Sequence, residues 1–507
     1  MGRRMGRQYI LRGVAVFAQA ALLAGCAAGP DFQRPAPPAV ESYTPEPLAE
    51  TTAATPIPGG EAQSLVKARD IPGQWWELFH SEALNGLIRQ ALEANPDLQA
   101  AEAALRAARE NTLAGEGSYF PAVDAKLGVN RQQANGASAG QATSSSLFTL
   151  YNASVGVSYT LDAFGGVRRQ VESLSAQEEY QRFQLEGAYL TLTANLVTAA
   201  IQEASLRGQV EATRKLVEFQ AQQLDIVRRQ FEVGSVARTD VLAQQTQLAQ
   251  TRATLPPLEK QLSQKRNQLA VLAGKFPGEG PGARFELADL KLPQELPLSL
   301  PSKLVEQRPD VRAKEALLHK ASAEIGVATA NMLPQLTLTA SYGSAALTSG
   351  TLFTGPAVVW GAGASLLQPL FRGGTLLHRK RAAEASFDQA AAEYHGTVLK
   401  AFQDVADVLQ ALERDAEALQ AQHEAEQAAA ASLELAQKQY QVGSASFLTL
   451  LNAERAYQQA RIALVQAQAA RYADTAALFQ ALGGGWWNRN DGAAVAARKN
   501  SDEEKQP

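Results

Sequence analysis

The sequence predicts a mainly α protein with a β-barrel part, built from a duplicated unit of two strands plus long coiled-coil helices. The first sign is a repeat. Gln230–Leu255 (QFEVGSVARTDVLAQQTQLAQTRATL) and Gln439–Leu464 (QYQVGSASFLTLLNAERAYQQARIAL) align at a constant offset of 209 residues. Gln230, Val233, Gly234, Ser235, Leu242, Gln250, Arg252 and Leu255 meet identical residues, and Phe231 meets Tyr440. A repeat of this length marks a duplicated structural unit. The second sign is a pair of long proline-free stretches with apolar residues stepping by threes and fours. The third is a set of short segments that alternate apolar and polar residues, the period of a strand.

The bulk numbers narrow the function classes. The chain has 507 residues, 46% hydrophobic and 19% charged, which excludes wholesale disorder. Its formal charge is −4, and residues 1–25 hold four arginines and no acid, so their removal leaves −8. No basic, aromatic-interleaved patch suited to nucleic acid is present.

Residues 1–25 read as a secretory signal peptide: a basic start (MGRRMGRQYILR), a short apolar run (Gly13–Gly25), then Leu23-Ala24-Gly25-Cys26. The run is too short to span a bilayer. Cys26 is the chain's single cysteine, so no disulfide forms within one chain. The LAGC tetrapeptide resembles a bacterial lipobox, in which Cys26 becomes the lipidated first residue. Ala27 and Ala28 follow, with no Asp at the second position, as in lipoproteins sorted to the outer membrane.

Residues 26–73 form an extended segment rich in Pro, Ala, Thr and Glu. The first repeat, 74–273, opens with QWWELF and a helix carrying Leu84, Leu87, Ile88, Ala91 and Leu92 at helical spacing. Asn95-Pro96 separates it from a second helix. Strands are expected at about 121–131, where Val123, Ala125, Leu127 and Val129 alternate with polar residues, and at 147–162, where Val155, Val157, Tyr159 and Leu161 do. Gly165-Gly166 ends the hairpin. A helix to Glu232 carries a seam of Val210, Thr213, Val217, Gln220, Leu224, Val227 and Phe231, and 66 residues at helical rise reach roughly 100 Å. A return helix follows the turn, with Pro256-Pro257 expected to bend it.

A Gly/Pro-rich linker at 274–301 divides the repeats. The second, 302–482, follows the same plan: Arg308-Pro309 echoes Asn95-Pro96, and strands are expected at about 334–343 and 358–368. Its long helix has the seam Phe387, Ala391, Tyr394, Val398, Ala401, Val405, Val408 and Leu412. A tail at 483–507 closes the chain.

Four amphipathic strands cannot close a membrane barrel, which needs about eight. An open sheet would leave unpaired edges in lipid. The strands therefore either cover a soluble core or share one barrel among several chains, and the long helices favour sharing.

The lipobox Cys26 followed by GPDFQRP, the WWELF…LNGLIRQALEANPDL segment, the junctions LDAFGG and PLFRGG, YQVGSASFLTLLNAER, and ALGGGW at 481–486 together resemble the TolC-like outer-membrane factors, in the lipoprotein branch of OprM and NodT. The resemblance covers nearly the whole chain. It implies a homotrimer with a 12-strand β-barrel in the outer membrane on a periplasmic 12-helix α-barrel. That assembly is the passive exit duct of a tripartite efflux pump, lipid-anchored in the outer membrane and partnered by a periplasmic adaptor protein and an inner-membrane transporter. It implies no cofactor and no nucleic acid. A protein-export duct and a poreless coiled-coil envelope lipoprotein are the alternative readings. Four two-faced strands count against the second.

The resemblance also assigns residues. The turns Val233-Gly234-Ser235 and Val442-Gly443-Ser444 are where adaptor hairpins dock; a plain helix C-cap explains one such glycine equally well. The periplasmic aperture maps to Leu448, Asn452 and Arg455 within LTLLNAER. Asparagine departs from the acidic residue usual at 452, and Asp240 is a substitute, or else a first-turn helix acid.

Catalytic readings are weak. Gly136-Ala137-Ser138-Ala139-Gly140 matches G-x-S-x-G without a strand-to-helix context. Glu77-Leu78-Phe79-His80 matches half of a di-iron helix motif. His319, His378, His395 and His423 are isolated in sequence. The expectation is a protein that is not an enzyme and holds no metal.

Overall fold

The computed structural model describes residues 27–135 and 145–489. Cys26 and the G-x-S-x-G segment lie outside them. In chain order come β1 (Ser64–Lys67), a 3-10 turn (Trp75–Phe79), α1 (Glu82–Ala94), α2 (Pro96–Glu116), β2 (Ala122–Asn135), β3 (Ser145–Leu161), α3 (Gly166–Glu232), α4 (Arg238–Leu272), β4 (Glu295–Leu298), α5 (Pro301–Gln307), α6 (Pro309–Ala330), β5 (Gln335–Ala346), β6 (Val358–Leu367), α7 (Thr375–Gln441) and α8 (Phe447–Ala481). The duplication is visible in the lengths. Helices α3 and α7 each have 67 residues, and α4 and α8 each have 35.

The local signals that start these elements are physical. Ser81 Oγ accepts the Leu84 N–H at the start of α1. The Asn95 side chain accepts from the N–H groups of Asp97 and Leu98 at 2.9 and 3.1 Å, and Pro96 opens α2. In the second copy Arg308 stands at that place, and its guanidinium instead pairs with Asp310 at 2.7 Å and Asp404 at 2.9 Å.

The chain forms two compact units, and each draws on both sequence repeats. One comprises residues up to Pro35, Ala104–Gln181 and Lys314–Tyr394. It contains a four-stranded antiparallel sheet in the order β2-β3-β5-β6. The register sorts the side chains by face. Val123, Val157, Ala340 and Ala362 align across the strands, as do Ala125, Val155, Tyr342 and Trp360. One residue along, Asp124, Gly156, Ser341 and Gly361 align on the other face. On that polar face the Thr160 and Thr337 hydroxyls bond at 3.2 Å. Val123, Val155, Tyr342 and Trp360 are exposed, so the apolar face is left uncovered by this chain.

The N-terminal segment is bound into the same unit. The Ala28 N–H donates to the Phe164 carbonyl at 2.8 Å. The buried Arg169 guanidinium pairs with Asp31 at 2.6 Å and with Glu172 at 2.7 Å. The Phe32 ring stacks on His319 with centroids 4.3 Å apart, and His319 Nε2 lies 2.9 Å from Glu172 Oε1. Of the four histidines isolated in sequence, His319 is thus a packing residue.

The second unit comprises Ala36–Ala103, Arg182–Ala313 and His395 onward. Its two-stranded sheet, β1 beside β4 in parallel, was not expected. Each strand has four residues, and Pro297 sits in one, so neither shows a readable alternation. It ties the N-terminal segment to the linker between the repeats. Glu77–His80 is no α-helical ligand motif: residues 75–79 are the 3-10 turn, which packs Trp75 on Phe479 at 5.3 Å. Beside it, Gly483, Gly484 and Gly485 have φ of 96°, 69° and 71°. A side chain at Gly483 would press on the Gln307 carbonyl, and one at Gly485 on the Ile71 carbonyl. The WWELF and ALGGGW segments are therefore one packing motif.

The helical seams differ from strict three-four alternation. Leu216 is buried where Val217 was expected, Leu409 where Val408 was, and Phe231 is exposed. With 3.6 residues per turn the buried stripe drifts, and it steps sideways by one residue at these points. Pro256 and Pro257 stand within the unbroken α4.

Candidate functional site

The α3–α4 and α7–α8 turns of the second unit were singled out by the repeat, and they share one geometry. The Ser235 N–H donates to the Gln230 carbonyl at 2.8 Å and the Gly234 N–H to the Phe231 carbonyl at 2.9 Å. The Ser444 N–H donates to Gln439 at 2.8 Å and the Gly443 N–H to Tyr440 at 3.0 Å. Both are Schellman caps with the glycine left-handed, at φ of 75° and 72°. A side-chain carbon built on either glycine meets nothing within 4 Å. The cap accounts for the glycines. It does not account for the valines, since Val233 and Val442 are 77% and 78% exposed.

The two turns are held side by side. The Tyr440 ring packs on Phe447 at 5.5 Å, within a cluster that includes Val227, Leu433, Leu450 and Leu451. Burial, and after it the Asp240 carboxylate, pushes the Tyr440 phenol above its ordinary pKa.

Helix α8 presents Leu448, Asn452 and Arg455 on its exposed side, with Leu448 64% exposed. Their spacing puts them on one helical face. Arg455 Nε donates to Gln247 Oε1 of α4 at 2.6 Å. Asp240 stands in the first turn of α4. Its carboxylate accepts the Ala237 N–H at 3.1 Å and so caps α4, where alanine has no side-chain acceptor. In the second copy Ser446 takes that role, accepting the Thr449 N–H at 3.2 Å. Among the described residues no hydrogen bond or ion pair joins Asp240 to Arg455.

Opposite the Leu448 face, sequence reading missed a buried polar layer. Glu454 of α8 is 0% exposed. Gln220 Nε2 of α3 donates to Glu454 Oε2 at 3.5 Å, and Gln244 Nε2 of α4 donates to the Gln220 carbonyl at 3.2 Å. Burial raises the Glu454 carboxyl to about 7, against a smaller opposing effect from the Gln220 hydrogen bond. The one sequence signal was Gln220, a polar residue in a seam otherwise largely apolar.

Comparison with known proteins fits these features. The model of the outer membrane efflux protein family matches residues 87–275 and 300–484, one segment in each repeat. The toluene efflux pump outer membrane protein TtgC of Pseudomonas putida is 30% identical over 476 residues, covering 92% of this chain and 94% of that protein. The pyoverdine export outer membrane protein OpmQ of Pseudomonas aeruginosa is 33% identical over 430 residues, covering 83% and 89%. The structure of the outer-membrane channel OprN superposes with a TM-score of 0.81 at 29% identity, covering 91% of this chain and all of that one.

Proposed function

The chain belongs to the outer membrane efflux protein family, and we propose that it works as a homotrimeric exit duct expelling small molecules, partnered by a periplasmic adaptor protein and an inner-membrane transporter. It is an outer-membrane efflux channel with a periplasmic helical tunnel. The observation that carries the trimer is the sheet. Among the described residues its two end strands, β2 and β6, each pair with one neighbour only, and its apolar face is bare. In a membrane such edges must pair, and copies of the same sheet supply the partners. Three chains give the 12 strands of a closed barrel on the family plan. The relatives' names, toluene efflux and pyoverdine export, support small molecules as cargo.

Cys26 is the lipidated residue in this reading. Cys26 lies outside the described residues; what supports the reading is that Ala28, two residues on, is held to Phe164 at the β3–α3 junction. The exposed Val233 and Val442, each next to a capped turn, are the adaptor-docking positions with Gly234, Ser235, Gly443 and Ser444. Leu448, Asn452 and Arg455 line the aperture, and the Arg455–Gln247 bond holds α8 against α4.

The test is planar-bilayer conductance of the purified, detergent-solubilised protein. Arg455→Ala removes the bond to Gln247 and is expected to enlarge the conductance steps. Asp240→Asn, which keeps an acceptor for the Ala237 N–H, separates capping from gating: unchanged conductance makes Asp240 a cap. If Arg455→Ala conducts like the unaltered protein, the aperture assignment fails.

A further inference from the structure

Glu454 lies one residue before Arg455, on the buried side of α8, and its surroundings are short of donors. Glu454 Oε1, Gln220 Oε1 and Gln244 Oε1 are all buried without a hydrogen-bond partner among the described residues. An ionised carboxylate only accepts, and so would add to this excess of acceptors, whereas a protonated one contributes a donor. A buried charge also needs a counter-ion. No cation lies within ion-pair distance of Glu454 among the described residues.

The elements packed around it offer none. Helix α3 presents Gln220, with Lys215 paired to Glu211 on its exposed side. Helix α4 presents Gln244, Gln247 and Thr251, while Asp240 caps its first turn. Helix α7 presents Leu433 and Ala436, with Glu434 and Lys438 paired outward at 2.6 Å. On α8 itself, Arg455 is committed to Gln247 and Arg461 to Glu426.

We propose that Glu454 is a proton latch for the helix–helix turns: neutral, it lets α8 pack on α3 and α4, and its ionisation loosens the α8 segment that carries Leu448, Asn452 and Arg455. The consequence for conduction rests on the aperture reading above; the consequence for packing does not. The direction follows from linkage. The packed form has its carboxyl raised to about 7 from an ordinary 4.5. Its contribution to packing is full below the ordinary value and is lost as pH rises through about 7.

The experiment is hydrogen–deuterium exchange of the full-length, detergent-solubilised protein from pH 5 to 8, corrected for intrinsic exchange and read on peptides spanning 443–456. In the unaltered protein the local opening equilibrium is expected to rise about tenfold per pH unit between pH 5 and 7 and to flatten above. Glu454→Gln keeps the shape and a donor, and is expected to be flat throughout. A flat profile in the unaltered protein, or an equal slope in Glu454→Gln, overturns the latch. Should Glu454→Gln not assemble, the infrared carbonyl band of a protonated carboxyl, measured in an Asp474→Asn background, decides instead. It is expected at pH 5 and gone by pH 8, and its absence at pH 5 overturns the latch. Bilayer conductance over the same pH range separates the two readings. If protection titrates and conductance does not, the latch stands and the aperture assignment fails.

Discussion

The Tyr440 hydroxyl donates to Gln230 Oε1 at 3.1 Å, joining the last turn of α7 to the last turn of α3. The two residues belong to the two copies of the repeat, and the bond is not reciprocated. The counterpart of Tyr440 is Phe231, which has no hydroxyl and is exposed. The duplicated turns have thus diverged into a donor side and an acceptor side. Tyr440→Phe keeps the ring on Phe447 and removes only the bond. Because the site is half-buried and water can replace the donor, the cost is expected at about 0.5–1 kcal/mol, seen as a small drop in thermal stability. A loss of several kcal/mol would mean that the hydroxyl organises more than this contact.

The capped glycines separate a folding role from a docking role. Gly443→Ala must hold a left-handed backbone, at about 1–2 kcal/mol, and its added carbon clashes with nothing in the chain. Gly443→Asn tolerates that conformation better and is expected to recover most of the stability. If an adaptor helix approaches the backbone closely here, both variants lose efflux activity, because either side chain blocks the approach. If efflux follows stability, falling in Gly443→Ala and recovering in Gly443→Asn, the glycine is only a cap.

A second buried acid makes stability depend on pH. Burial, and after it the neighbouring Asp415 carboxylate, toward which a protonated Asp474 would donate, pushes the Asp474 carboxyl up to about 7 from an ordinary 3.8. The neighbouring Arg471 is fully buried and spends its guanidinium on the Leu412 and Glu61 carbonyls and the Thr52 hydroxyl. A raised carboxyl contributes most below its ordinary value, and the contribution is lost as pH rises through about 7. Thermal unfolding at pH 5, 6, 7 and 8 is therefore expected to show falling stability in the unaltered protein. Asp474→Asn, which keeps a donor toward Asp415, is expected to reduce the slope, leaving the part that Glu454 contributes. An equal slope in the variant would assign the pH dependence to other groups.

These acids also mark where sequence reading stops. The strands were legible because Val123, Ala125, Leu127 and Val129 repeat with period two, and the sheet register puts all four on one face. The capped turns were legible because glycine after a long helix is needed for a left-handed residue. Glu454, Arg471 and Asp474 look like ordinary surface charges in helices full of charge. Their burial depends on what other segments bring: Gln220 and Gln244 to one, Thr52 and Glu61 to another. The β1–β4 pair was hidden for a related reason, since four residues cannot display a period and the partner lies across the whole first repeat.

The period-two reading has a consequence that neighbouring residues can test. Val157 sits between Val123 and Ala340 on the apolar face, and Ser158 sits between Ala122 and Thr339 on the other. If the apolar face meets lipid, an arginine at 157 must be carried into hydrocarbon, at about 2–4 kcal/mol near the bilayer midplane and less toward the interface. Three copies would pay it in a trimer. The same arginine at 158 points into the polar side, beside hydroxyls and water. Val157→Arg is therefore expected to lower the amount of heat-resistant trimer recovered from outer membranes, while Ser158→Arg assembles like the unaltered protein and alters its ion selectivity. The opposite order would place lipid on the wrong face of the sheet, and equal recovery of both would mean that neither face meets hydrocarbon at this depth.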